Sequence, residues 1–157
     1  MKHQEQLPII GWREQLALPD LGIPEVKAKI DTGARSSALH AFDVETFERD
    51  GKPMVRFKVH PYQRDAQRSV TAEAELIDQR QVRNSGGQAQ VRPVIETTVE
   101  INGYTFPIEL TLTNRDAMGF RLLLGRQAVR RRFLVDAGRS FLHSSTGIGK
   151  VKNKSEK

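Results

Sequence analysis

Val26-Lys27-Ala28-Lys29-Ile30-Asp31-Thr32-Gly33-Ala34 is the stretch on which the reading of this chain turns. Apolar and basic residues alternate from Val26 to Ile30, the period-two pattern of a strand with one buried face. The strand runs directly into an acid, a hydroxyl and a glycine. An aspartate at a strand's end points out of the sheet, a following glycine lets a backbone N–H turn towards its carboxylate, and a threonine between them can tie the loop to a neighbour. The same triplet also serves as an ordinary turn, with Asp31 capping a local N–H and Gly33 taking a positive φ. Its chemical use is different. A peptide bond can be hydrolysed without a metal or a nucleophilic side chain when water is held between two carboxylates, one ionised and one protonated. Such a pair cannot ionise fully at close range, so it shares a proton and titrates as a unit.

Working outward, the rest of the chain also reads as strands. Val55, Phe57 and Val59 alternate with Arg56 and Lys58, and Phe106, Ile108, Leu110 and Leu112 alternate with Pro107, Glu109, Thr111 and Thr113. Asp50-Gly51 and Asn102-Gly103 are tight-turn signals between such runs, and Pro107 predicts an edge position or a bulge. The segment 84–88, tipped by Gly86 and Gly87 and flanked by Leu76-Ile77 and Val94-Ile95, predicts a mobile, glycine-tipped excursion or a long hairpin. Leu122-Leu123-Leu124 predicts a buried strand, followed at Gly125-Arg126 by a short helix to Phe133 with Ala128, Val129 and Phe133 on one side. A last hairpin is expected around Asp136-Ala137-Gly138. The fold class is therefore mainly β with one short C-terminal helix.

The length of 157 residues suits one ordinary domain, and 38% hydrophobic content with 28% charged residues is a globular balance. Lysine and arginine number 25 against 19 acidic residues, a net charge of +6, but the excess is local. Residues 1–116 carry 15 basic and 17 acidic side chains, whereas residues 117–157 carry 10 basic and 2 acidic ones. A solvated face with a frayed lysine tail and an anion-binding patch both fit that distribution. Without cysteine there is no disulfide, thiolate nucleophile or cysteine-ligated metal. The polar N-terminus leads into no apolar stretch of signal-peptide or membrane-spanning length, so a cytoplasmic protein is expected. His3, His40, His60 and His143 form no His-Glu-x-x-His motif, and Gly51-Lys52 and Gly149-Lys150 are not followed by the hydroxyl of a phosphate-binding loop.

The order strand, Asp31-Thr32-Gly33-Ala34, glycine-tipped hairpin, apolar strand and Gly125-Arg126 opening a helix resembles the retropepsin-like aspartic proteases. More narrowly, the stretch Ala28 to Ala41, the upstream Ile10-Gly11-Trp12-Arg13-Glu14 with Leu18-Pro19, Arg92-Pro93-Val94-Ile95 and Leu124-Gly125-Arg126 resemble one bacterial group. Its members are labelled ATP-dependent zinc proteases and associated with ribosomal-protein glutamate ligases of the ATP-grasp type. The resemblance covers about Ile9 to Leu142 and divides the chain into a tail 1–8, a protease domain 9–143 and a basic, disordered tail 144–157.

The resemblance implies a closed β-barrel with Asp31 as catalytic aspartate, Thr32 and Gly33 shaping its loop, and Ala34 lining the site. Leu124, Gly125 and Arg126 would pack behind that loop, and 84–88, with Gly86 and Gly87, would be the flap over substrate. The ligase association implies acidic, glutamate-rich polypeptide substrates, with Arg35, Arg83, Arg92 and the cluster Arg126 to Arg132 as cation donors, and a glutamate ligase as partner. Zinc and ATP enter through the family label alone. With His40, His60 and His143 scattered, no metal or other cofactor is expected. Only one Asp-Thr-Gly occurs, Asp20-Leu21-Gly22 and Asp136-Ala137-Gly138 lacking the hydroxyl, so an active enzyme should be a homodimer. The competing reading is an interaction module of the same fold that binds a ligase, ribosome or RNA without hydrolysis. Base-stacking recognition of nucleic acid is disfavoured by the 6% aromatic content.

Overall fold

A computed structural model of the chain describes residues 6–61, 68–83, 86–114 and 119–143. Eleven strands, one α-helix and a short 3₁₀ helix (Pro19–Leu21, between β2 and β3) are found among these residues, the strands and α-helix in chain order being β1 (Ile9–Gly11), β2 (Arg13–Leu18), β3 (Ile23–Ile30), β4 (Ser37–His40), β5 (Phe42–Arg49), β6 (Lys52–Val59), β7 (Val70–Arg83), β8 (Ala89–Ile101), β9 (Tyr104–Thr113), β10 (Leu122–Leu124), α1 (Arg126–Val129) and β11 (Leu134–Asp136). The alternations read from sequence are the buried faces of these strands. Ile23, Val26, Ala28 and Ile30 of β3, Val55, Phe57 and Val59 of β6, and Phe106, Ile108, Leu110 and Leu112 of β9 all enter one core. Asp50-Gly51 and Asn102-Gly103 turn with positive φ at both residues, the backbone of tight hairpin turns.

The strands β2, β3, β10, β4, β9 and β8 are hydrogen-bonded in that order, and β8 returns to β2 through Ala17 and Glu100, which closes a six-stranded barrel. Closure is possible because one edge of β8 is divided. Residues Ala89 to Ile95 pair with β7, and Glu100 pairs with β2. From β7 the sheet continues outward as an apron through β6 to β5. On the apron, Glu73 lies between Arg49 and Arg56, whose guanidinium groups stand at 2.8 and 2.9 Å and hold its carboxyl below the usual range. Pro107 sits where β9 is paired to β8 alone, since β4 joins β9 only from Leu110 onward, which is the edge position its missing N–H requires.

Two expectations at the C-terminal end are corrected. The helix stops at Val129 instead of Phe133, because Arg130 leaves the helical region with a ψ of 139° and Arg131 follows at a positive φ of 68°, although Ala128, Val129 and Phe133 are buried as expected. Asp136-Ala137-Gly138 does not join two strands of a hairpin. β11 pairs in parallel with β1, and after the turn residues 139–143 run as a strap along Gly11 to Glu14. The Pro8 carbonyl, just before β1, accepts the Leu134 N–H at 2.9 Å. Residues 1–5, the tail 144–157, and Asn84 and Ser85 of the expected flap lie outside the described residues. Among those described, no helix is long and apolar enough to cross a membrane.

Candidate active site

β10 lies between β3 and β4, parallel to the first through Leu124 and Ile30 and antiparallel to the second through Leu123 and Ala38. The loop that leaves β3 for β4 must therefore step across the end of β10. The residues after β10 meet it there, almost entirely through main chain. The Asp31 N–H donates to the Leu124 carbonyl at 2.8 Å, the Arg126 N–H to Ala34 at 2.7 Å and the Gln127 N–H to Arg35 at 3.1 Å. Ser37 Oγ accepts the Gly125 N–H at 3.0 Å, and the Arg126 guanidinium donates to the Thr32 carbonyl at 3.0 Å. A β-carbon on Gly125 would collide with the Ser36 carbonyl, so only glycine allows this approach.

Inside the loop the Gly33 N–H donates to Asp31 Oδ1 at 3.0 Å and the Ala34 N–H to the Asp31 carbonyl at 3.1 Å. One carboxylate oxygen is thus oriented by backbone, while Oδ2 has no hydrogen-bond partner among the described residues. Asp31 is half-buried, and Thr32, Gly33, Arg35 and Ser36 around it are exposed, so the carboxylate sits at an open surface. A hollow of about 210 Å³ lies beside the loop support instead of at the carboxylate, lined by Ser36, Ser37, Glu96, Glu109, Gln127 and Arg132 among others.

The sequence-derived residues divide by what their side chains do. Leu124, Gly125 and Arg126 form the loop support just described. Thr32 ties the loop through its carbonyl and not, within one chain, through its hydroxyl. Arg83 donates to the Gly87 carbonyl at 2.9 Å and so belongs to the hairpin tip near Gly86. Arg92 donates through Nε to the Leu112 carbonyl at 2.8 Å, and burial without a nearby carboxylate lowers its pKa. The side chains of Arg35, Arg130 and Arg131 are exposed and carry no ion pair among the described residues. Arg132 stacks over Phe106 at 4.5 Å.

Among the described residues no donor set fits the zinc of the family label. His60 stacks on Phe42 at 4.4 Å with Nδ1 on the Arg68 carbonyl, and His143 Nδ1 is engaged by Asn102 at 3.0 Å. Among the described residues no three His, Asp or Glu side chains converge as a metal ion would need. Two polar residues escaped the sequence reading. Ser37 caps Gly125, for which its place six residues after Asp31 gives no signal. Glu14 is fully buried, and the signal was its alternation with buried Leu16 along β2.

Comparison with known proteins agrees with this geometry. The family model described as retropepsin-like aspartic endopeptidase RimB, or RimB-like, matches residues 9–146. A Shewanella halifaxensis protein named "Probable alpha-L-glutamate ligase" is 44% identical over 133 residues, which are 85% of this chain and 29% of that protein. A Desulfotalea psychrophila protein of the same name is 47% identical over 128 residues, 82% of this chain and 28% of that one. The chain thus spans under a third of the length of these relatives. A Legionella pneumophila crystal structure of unknown function (DUF785) superposes with a TM-score of 0.70 at 30% identity, covering 87% of this chain and 98% of the other. With β10 built into a closed barrel, the Asp31 loop seated on Leu124-Gly125-Arg126, and a family match over nearly its whole length, the chain belongs to the RimB-like family of retropepsin-like aspartic endopeptidases.

Proposed function

We propose that this protein is an aspartic peptidase whose working site forms when two copies bring their Asp31 residues together across a two-fold axis. The observation that carries this reading is the Asp31 loop itself, a half-buried carboxylate at an open surface with one oxygen held by the Gly33 N–H, locked from behind by Leu124 to Gln127. The described residues offer no second such loop. Asp136 makes the same bond to the Gly138 N–H at 2.9 Å, but its carboxylate is paired with Arg139 at 3.2 Å. Thr32, with its hydroxyl exposed, stands ready to bond across the axis.

In the dimer one Asp31 is ionised and the other protonated. The ionised carboxylate takes a proton from water as the oxygen attacks the peptide carbonyl, and the protonated one donates to the carbonyl oxygen. The resulting diol collapses as its nitrogen gains a proton, the C–N bond breaks, and acid and amine leave with the dyad restored to one proton. Activity per milligram should fall on dilution in step with the dimer fraction measured by sedimentation. Full activity from a species that sediments only as monomer would overturn the shared site.

For substrate we favour an acidic, glutamate-rich polypeptide. Arg35 beside Asp31 and Arg130 and Arg131 after α1 have exposed guanidinium groups without internal partners, and Gln127 bonds α1 to the Arg35 backbone, making one basic surface. Three exposed cations at about 0.2–1 kcal/mol each predict a preference on the order of tenfold for a glutamate-rich over a neutral peptide. That preference should fade as salt shortens the screening length. Equal cleavage of both peptides at low salt would remove the acidic-substrate reading. The ligase names of the relatives favour one second reading, a module that binds a glutamate ligase in the cytoplasm without hydrolysing anything. Ligase binding that survives Asp31→Asn, with no pepstatin-sensitive cleavage by the unaltered chain, would select it.

A further inference from the structure

Glu14 is a carboxylate with no solvent exposure, placed outside the loop to which the chemistry is assigned. Burying a carboxylate is unfavourable unless hydrogen bonds replace its water. Here three backbone amides do so, from segments at opposite ends of the chain. Oε2 accepts the N–H of Gly11 at 2.7 Å and of Leu142 at 2.8 Å, and Oε1 accepts the N–H of His143 at 2.8 Å. The strap 139–143 belongs to no strand, so its amides need acceptors that a sheet would otherwise supply. A carboxylate offers several at once.

The strap is also fastened to the residues beside Glu14. Trp12 donates to the Arg139 carbonyl at 2.8 Å, and Phe141 donates to the Arg13 carbonyl at 2.9 Å. A β-carbon on Gly11 would strike the Arg139 and Ser140 backbone, so the strap passes directly over it. The Arg13 guanidinium lies between the Trp12 and Phe141 rings, 4.7 and 5.0 Å from their centres. From this knot one further bond leads to the site: the Trp12 carbonyl accepts the Ile30 N–H at 2.8 Å, immediately before Asp31.

We propose that Glu14 is a positioning residue for Asp31, which it seats by clamping the C-terminal strap over Gly11 to Arg13. The strap is then a control element, because whatever lifts residues 139–143 loosens the Trp12 carbonyl on which Ile30 rests. This rests on the peptidase reading of Asp31. Glu14→Gln replaces one acceptor oxygen by an amide donor, which faces a strap or Gly11 N–H without an acceptor. Phe141→Ala loosens the strap while leaving the buried carboxylate in place, and serves if Glu14→Gln folds poorly.

The measurement is cleavage of a glutamate-rich peptide by the full chain, with active sites titrated by a statine-type transition-state analogue, alongside amide exchange at Ile30 and Asp31. For Glu14→Gln we expect kcat per titrated site to fall about tenfold, the effect of a small misplacement of the reacting group. KM should stay within about twofold, since substrate contacts are untouched. Exchange at Ile30 and Asp31 should accelerate while Val99 in β8 is unchanged, with a smaller change of the same kind in Phe141→Ala. A lower titre with unchanged kcat per site and unchanged exchange at Ile30 would show Glu14 to be structural only and overturn the proposal. Cleavage that survives Asp31→Asn would instead remove the peptidase reading, and the exchange at Ile30 would still judge the coupling.

Discussion

Asp31→Asn should abolish peptide hydrolysis, with a loss of at least on the order of 10⁴-fold, the upper end of what one general acid–base group contributes. The size follows from the proposed two-copy site, in which one substitution would remove both the base and the acid. The fold should survive. An asparagine Oδ1 accepts the Gly33 N–H as the aspartate does at 3.0 Å, and no other hydrogen bond to the side chain is lost. Stability should stay within about 0.5 kcal/mol of the unaltered chain. The check is a peptide-cleavage assay beside a denaturation curve of each variant. Wild-type turnover in Asp31→Asn would assign the chemistry to another residue.

Gly125→Ala should have the largest effect on stability. Its β-carbon would meet the carbonyl of Ser36, and that backbone is fixed on both sides by the Arg126 bond to Ala34, the Gln127 bond to Arg35 and the Ser37 hydroxyl on Gly125. Relief requires separating β10 from the Asp31 loop, which strains packing and breaks one or more of these bonds. A loss of about 3 kcal/mol is expected. It should be read as a lower denaturation midpoint with an unchanged slope. Gly33→Ala is the control, since its β-carbon would lie 3.3 Å from the movable Asp31 Oδ1 and not against backbone. That variant should fold and lose activity. A Gly125→Ala protein as stable as the parent would contradict the close approach described.

What could be read from sequence, and what could not, follows from the range over which each signal acts. Alternation is local, so β3, β6 and β9 are plain in their side chains, and the Asp31 loop and its Leu124-Gly125-Arg126 support are plain in their residue types. The parallel pairing of β1 with β11 joins three-residue strands from opposite ends of the chain, too short to show a period. The apron is hidden because β8 reads as one continuous strand, while its change of partner from β7 to β2 leaves no mark on the alternation. Arg83, Arg92 and Arg126 looked alike as candidate cations. Their guanidinium groups are bonded to backbone carbonyls, and for Arg92 and Arg126 those carbonyls lie 20 and 94 positions away, beyond any local pattern. Glu14 reads as one more polar residue in a strand until the strap arrives to bury it.

The seating of Asp31 on residues 124–127 has a consequence for the order in which the molecule comes into being. The Thr32 carbonyl receives its guanidinium from a residue 94 positions later, and Gly125 receives its hydroxyl from one 88 positions earlier. Contacts of such separation form late, because a long loop must be closed before they reward the chain. During synthesis, the loop bearing Asp31 leaves the ribosome long before β10 exists to hold it. A nascent chain therefore carries Asp31 without its seat, and the hydrolysis proposed for it would have to wait until β10, the last barrel strand in the chain, has been made.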